Sequence, residues 1–205
     1  MTSIIVPYAP LTPCRELAWN YAKTKITQIV PDCELIVSPI YGNILTYNKA
    51  QAIIDATPKA THEVVVIHDA DCWCAELPAA IDIVGKDKRM VAMPYQEMRN
   101  LTQESTTALY DGVQEPLQWT TRGMTRCGGI VVMHIDILRE FPPDTRFCGW
   151  GHEDHAWSYA IGSRHEFWLG QGIGWHLWHD SANKNNLNIN NNELLKKYKQ
   201  QYNIK

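Results

Sequence analysis

The 205-residue sequence predicts an α/β protein with a mostly parallel central sheet and helices on both faces. Three observations carry this. Strand-like and helix-like segments alternate strictly over residues 1–94, which implies right-handed crossovers between parallel strands. The run VVVI at 64–67 is apolar at every position, as a strand covered on both sides must be. No repeat and no change of composition divides the chain, and its length suits one domain with a substantial core.

Taken in order, SIIVP is a short buried strand ended by Pro7. Thr12 is the expected N-cap and Pro13 the first helical residue of the next segment. There Leu17, Ala18, Tyr21, Ala22, Ile26 and Ile29 form an apolar stripe at helical spacing. CELIVSP is the second strand, LTYNKAQAIIDAT the second helix, EVVVIH the third strand, AELPAAIDIVG the third helix and MVAMP the fourth strand. The alternation then breaks. Residues 95–126 are polar and weakly periodic, which predicts a long loop or short hairpin over the sheet, and long loops in compact domains are more often functional than idle. GGIVVMHIDIL returns as a strand running into a turn of helix. EDHAWSYAI is a helix with Trp157, Ala160 and Ile161 inward. NKNNLNINNN is a connector, and ELLKKYKQQY a terminal amphipathic helix with its lysines late, where the helix dipole favours them.

The totals exclude several classes. A net charge of −3 argues against a broadly basic nucleic-acid surface. Six cysteines without paired CxxC spacing support neither structural zinc nor a disulfide framework. No apolar run approaches transmembrane length, and MTSIIVPYAP has neither the basic start nor the apolar stretch of a signal peptide. A cytoplasmic protein is the expectation.

Three polar clusters stand out. Asp69 and Asp71 follow the third strand one residue apart, where side chains at i and i+2 project together. Two such carboxylates repel and lose water unless a cation joins them. Mg²⁺ or Mn²⁺ takes carboxylate oxygens and shares coordination with phosphate; a solvated turn is the bland alternative. In GWGHEDHAW, two glycines let the backbone bend around Trp150, and Glu153 and Asp154 fall at a helix start, where they could equally do no more than satisfy the helix end. In WHLWHDS, His176 and His179 could both reach one cation from a helical turn or a bend, though a histidine there is often only a surface or core residue. Ligands of open α/β sheets sit beyond the carboxyl ends of the strands, which is where Pro7, Ser38 and Asp69 fall. Together the clusters describe one metal site with a separate base.

The chain resembles the GT-A (nucleotide-diphospho-sugar transferase) glycosyltransferases, specifically the β-1,4-galactosyltransferase type, with motifs in the same order over most of its length. SIIVPY resembles the family's first strand, which places Pro7 and Tyr8 on the nucleotide. TYNKAQA resembles FNRAK, which puts Tyr47 and Lys49 near the uridine diphosphate. HDADCW matches the DxD element, and FCGWGHEDHAW resembles WGWGGEDDD. The latter carries Trp150 and Gly151 to the sugar and acceptor, and Glu153 and Asp154 to the acidic pair. HLWH falls where the family completes its metal site, with His179 the closer match and His176 a second ligand. Ala9 stands where the family has an arginine, which leaves Arg15 as the nearby cation for the phosphates. His152 replaces a glycine and His155 an aspartate.

The resemblance implies a single glycosyltransferase domain, with a nucleotide-sugar half (1–94), an acceptor and catalytic half (95–182) and an Asn-rich connector with its helix (183–205). It implies a UDP-sugar donor, inversion at the anomeric carbon, and Mn²⁺ or Mg²⁺ held by Asp71, His179 and His176. Asp69 would contact the ribose, or the metal through water. Asp154 would be the base and Glu153 would orient an acceptor, whether glycan, protein or hydroxymethylated DNA. Two other readings stand beside it. A metallohydrolase could gather zinc with HEDH and HLWH, and a non-catalytic nucleotide- or glycan-binding module would need no base.

Overall fold

The computed structural model describes residues 1–40, 46–113, 117–149, 151–180 and 189–204. The chain runs β1 (Ser3–Tyr8), α1 (Pro13–Ile29), β2 (Glu34–Pro39), α2 (Lys49–Ala56), β3 (Val64–His68), β4 (Cys72–Trp73), α3 (Leu77–Lys86) and β5 (Val91–Leu101). It continues through α4 (Gln103–Tyr110), β6 (Trp119–Arg122), β7 (Ile130–His134), α5 (Ile135–Glu140), α6 (Glu153–Gly162), β8 (Phe167–His176) and α7 (Ile189–Gln201). The sheet order is β2-β1-β3-β7-β5-β8-β4, with β6 added to β5. β1 pairs in parallel with β2 and β3, and β5 with β8, while β7 runs antiparallel to both β3 and β5. Five strands (β1, β2, β3, β5, β8) therefore share one direction, and their carboxyl ends open on one edge. The core lies where both faces are covered: Ile4, Ile5, Val6, Val65, Val66 and every residue of β7 are buried.

Local signals set several boundaries. Pro13 opens α1 as expected, and Thr12 is extended like an N-cap, but its hydroxyl lies 3.0 Å from the Cys14 thiol instead of capping the helix. Trp19 is buried on α1, whereas Leu17 is 53 % exposed and leaves the expected stripe. α2 begins at Lys49, later than the apolar pattern indicates, because Asn48 caps it by accepting the Gln51 N–H at 2.9 Å.

Among the described residues of 95–126 the long loop is not found, and the antiparallel β5–β6 pair comes nearer the hairpin alternative. β5 continues through Leu101, followed by α4 and β6. Pro94 reads as a strand end, yet it sits at register shifts between β5 and β8, where a missing N–H and an interrupted alternation are tolerated. α4 escapes periodicity because Ser105 and Thr106 fill its buried face with Leu109. β8 is hidden by its glycines. At Gly170 and Gly172 an added Cβ would meet the Pro94 carbonyl, so these positions keep β8 close against β5. His176 and His179 thus lie at a strand end and the bend after it, not on a helix. α7 starts inside the asparagine-rich segment, most of which lies outside the described residues.

A Cβ at Gly172 would lie 2.6 Å from the Pro94 carbonyl oxygen and 2.5 Å from Glu76 Oε2. Gly172→Ala is expected to destabilise the fold by about 1–3 kcal/mol in urea unfolding. Gly85→Ala, in helix α3 with nothing within 4 Å of the added methyl, should be neutral or stabilising by about 0.5–1 kcal/mol. Equal effects of the two would contradict the close packing of β8 on β5.

Candidate active site

At the carboxyl edge of the co-directional strands lies a cavity of about 760 Å³. β1 contributes Pro7 and Tyr8, the turn after β3 Asp69 and Asp71, β5 Asn100 and Leu101, and β8 with its following bend His176, Trp178, His179 and Asp180. Helices add Arg15 from α1, Lys49 from α2, and Glu153 and Asp154 from the first turn of α6. Tyr47 completes the set.

Asp71, His176 and His179 converge, with one ligand atom from each within 4.8 Å of the others. Asp71 Oδ2 lies 2.9 Å from His179 Nε2, and Oδ1 lies 3.5 Å from His176 Nε2. Backbone pairing builds this arrangement. Cys72 faces His176 across the antiparallel β4–β8 ladder, and the Leu177 N–H donates to the Asp71 carbonyl at 2.8 Å. The bend is pinned by the Trp178 N–H donating to Thr106 Oγ1 at 2.9 Å, and by the Cys14 thiol donating to Asp180 at 3.3 Å. His179 Nδ1 donates to the Asp180 carbonyl at 3.0 Å, which leaves Nε2 facing the carboxylate. Burial would raise the Asp71 pKa, but His176, His179 and Arg15 overcome it and hold the carboxyl well below the usual range. For His179, burial works downward, and the hydrogen bond and charge of Asp71 raise the ring above its ordinary value. One carboxylate and two imidazoles facing one point are a donor set that fits a divalent first-row cation.

Asp69 turns elsewhere. Its carboxylate lies 2.7 Å from Lys49 Nζ, which is also 3.3 Å from Asp154 Oδ1. The Asp69 backbone N–H donates to the Gly129 carbonyl at 2.7 Å, and the Gly129 N–H donates to Asp69 Oδ2 at 3.2 Å. The two aspartates therefore meet different cations, Asp69 a lysine and Asp71 a histidine pair. The side chains of Lys49 and Asp154 are only 14 % and 19 % exposed, and the low dielectric sharpens their mutual influence. Burial pushes the Asp154 pKa up; Lys49 opposes this, while Glu153 and Asp69 add to it, and the carboxyl is raised to about 7. Burial would lower the Lys49 pKa, but Asp154, Asp69 and Glu153 hold it well above its ordinary value.

Eleven residues expected from the sequence line this cavity: Pro7, Tyr8, Arg15, Tyr47, Lys49, Asp69, Asp71, Glu153, Asp154, His176 and His179. Gly151 does not line it; with φ of 116° it supplies the turn before α6. Trp150 lies outside the described residues. Among the described residues His152 and His155 do not join the metal-type cluster. Trp178 lines the cavity from within HLWH without having been singled out, and Asn100 lines it outside any motif; extending β5 past Pro94 would have been the signal for Asn100. Arg15 Nε is buried without a hydrogen-bond partner among the described residues. A recess of about 40 Å³ between Tyr95, Met98, Met124 and Gly129 shares Asp69, Asp154 and His176 with the cavity.

No protein-family model matches the sequence, and no curated protein does either. Solved structures do match in shape. GalNAc-T7 with UDP, GalNAc and Mn²⁺ superposes with a TM-score of 0.53 at 13% identity, over 99% of this chain and 54% of that one. A Drosophila β-1,4-galactosyltransferase 7 mutant with manganese, UDP-Gal and xylobiose gives 0.51 at 13% identity, over 83% and 64%. TarS of S. aureus with UDP gives 0.50 at 13% identity, over 86% and 60%. The chain thus spans a little over half to under two-thirds of the length of these proteins. At such identity the likeness is one of architecture: this chain has the GT-A fold of the nucleotide-sugar transferases.

Proposed function

We propose that the chain is a metal-dependent glycosyltransferase that moves a sugar from a UDP-sugar to an acceptor hydroxyl with inversion. The observation that carries this is the convergence of two unlike charge clusters on one cavity. One is a carboxylate–imidazole set suited to a cation; the other is a carboxylate with its pKa near neutrality. The proteins of similar fold bind UDP, two of them with manganese, which supports the same ligands here.

Asp71, His176 and His179 would hold Mn²⁺ or Mg²⁺, which supplies positive charge against the diphosphate as it departs. Arg15, whose Nε has no hydrogen-bond partner among the described residues, is the protein's own cation for the phosphates. Pro7, Tyr8 and Tyr47 line the region assigned to the nucleoside, and Trp150 and Gly151 are kept for the sugar and acceptor. Asp154 accepts the proton of the attacking hydroxyl, a role for which a pKa near the working pH is best suited. Glu153, beside it, orients the acceptor. Lys49 takes a part different from the expected diphosphate contact. Bridging Asp69 and Asp154, it keeps the base ionisable in a buried setting and restrains it in place. A hydrolase built on two histidine pairs gains no support, since His152 instead lies 2.6 Å from Asn192 Oδ1.

Mn²⁺ together with UDP is expected to raise the melting temperature where neither does so alone. Asp71→Ala and His179→Ala should abolish the joint shift, and a full shift in either variant would refute the metal assignment. Asp154→Asn should retain the shift while turnover falls on the order of 10²-fold or more; loss of Mn²⁺–UDP binding would count against the base.

The pH profile adds a further check. Turnover should rise with pH through about 7 as Asp154 ionises, and Lys49→Met should move that limb to higher pH by removing the cation that lowers this pKa. The folded state holds the Asp154 proton more tightly than the unfolded chain. The associated stability is therefore present at acid pH and is lost as pH rises through about 7. Asp154→Asn should accordingly gain stability relative to the parent across that window, and a parallel pH dependence of the two proteins would exclude the raised pKa.

A further inference from the structure

The asparagine-rich segment ahead of the C-terminal helix reads from sequence as a connector, yet two of its residues reach the base of α6. Asn191, in the first turn of α7, is 0 % exposed. Its side-chain amide donates at 3.0 Å to the carbonyl oxygens of both Cys148 and Gly151. Those carbonyls bracket a backbone turn of unusual shape: Gly149, Gly151 and His152 have φ of 69°, 116° and 73°. His152, the residue that opens α6, holds a left-handed conformation that a side chain disfavours. Its Nε2 donates to Asn192 Oδ1 at 2.6 Å, so the ring is tied to α7. Two further contacts lie along the same helix: the Tyr198 hydroxyl donates to Asp144 at 2.8 Å, and its ring meets Phe147 at 5.9 Å. On the opposite side the Gly149 N–H donates to the Tyr47 carbonyl at 2.8 Å, two residues from Lys49.

We propose that Asn191, seconded by Asn192, is a positioning residue. α7 clasps the 148–152 turn against the Tyr47–Lys49 segment, and so sets where Glu153 and Asp154 stand in the cavity. A buried amide with both N–H groups on two carbonyls of one turn fixes that turn more narrowly than apolar packing can, because hydrogen bonds are directional and costly to leave unmade. The turn is a place where such restraint matters. His152 would be free to relax if released, and Asp154 follows only two residues after it. The inference rests on the reading of Asp154 as the base.

Asn191→Ala, Asn191→Asp and the milder Asn192→Ala test it in the full chain. Amide hydrogen exchange is read across 148–154, with β1 and β3 as the internal reference. In parallel, Mn²⁺–UDP thermal shifts and UDP release from UDP-galactose, UDP-glucose and UDP-N-acetylgalactosamine are measured. Exchange across 148–154 should quicken by about tenfold or more while β1 and β3 stay protected. The Mn²⁺–UDP shift should persist, and kcat should fall roughly tenfold with donor KM within about twofold. Asn192→Ala should show the same pattern to a smaller degree. Unchanged protection across 148–154 would overturn the clasp, as would equal losses in UDP binding and kcat. If the parent protein neither binds Mn²⁺–UDP nor releases UDP, the glycosyltransferase reading falls, while the exchange measurement still decides whether α7 holds the turn.

Discussion

Of the carboxylates that line the cavity, Asp69, Asp71 and Asp154 are the ones drawn into its charge clusters, and each must meet a positive charge or give up its own. The interaction on which the site depends is Lys49 between Asp69 and Asp154, at 2.7 and 3.3 Å. Without that ammonium, two acids from the turn after β3 and the start of α6 would face each other in a low dielectric, and the cheaper outcome would be protonation of one. With it, Asp154 is left poised near neutrality, neither locked as an anion nor silenced as an acid. Asp71 is served differently. Its partners are imidazoles, which can exchange a hydrogen bond to the carboxylate for a bond to a cation.

The sheet explains how such a set can be assembled from distant residues. Strands β1, β3, β5 and β8 run toward the same edge, and the short antiparallel β4 brings the chain back so that Cys72 pairs with His176 and Asp71, one residue earlier, stands beside both histidines. The position of His176 is therefore carried by backbone hydrogen bonds and by the close packing of β8 on β5, while the Thr106 hydroxyl and the Cys14 thiol pin the bend that follows. That packing is why β8 carries glycine at 170, 172 and 174, where a Cβ at each would strike Pro94 or Met98. The flat, bare strand is the means by which His176 arrives in register.

The α/β class and the first three strands were legible because their apolar runs are continuous and their helices begin with proline or a capping residue. The cavity-lining acids and histidines were legible as residue types in a familiar order. What the pattern concealed has physical causes. A proline and two register shifts broke the alternation of β5, polar residues on the buried face blurred α4, and glycines removed the apolar signal of β8. The role of Lys49 was hidden for another reason: no spacing within a strand or helix reveals an ion pair between residues 105 positions apart. Asn191 is masked by composition, since one buried amide among many asparagines cannot be told from its solvated neighbours.

The pairing of Lys49 with Asp154 also bears on how the two halves of the chain act together. Lys49 belongs to the first of these, residues 1–94, and Asp154 to the second, so the proton affinity of Asp154 is set from across the cavity. Under the proposed function, donor phosphates beside Arg15 would bring negative charge into the same enclosure. The Lys49 ammonium, which Asp69 and Asp154 already share, lines that cavity as well. Any pull on it toward the phosphates weakens its hold on Asp154 and makes that carboxylate more basic. A carboxylate made more basic in this way also holds its proton to higher pH, so the sharing of Lys49 sets the pH at which Asp154 is free to accept one. This coupling needs no movement of the fold. It requires only that one ammonium be shared among groups from both halves, which is the arrangement that burial and the strand ends impose.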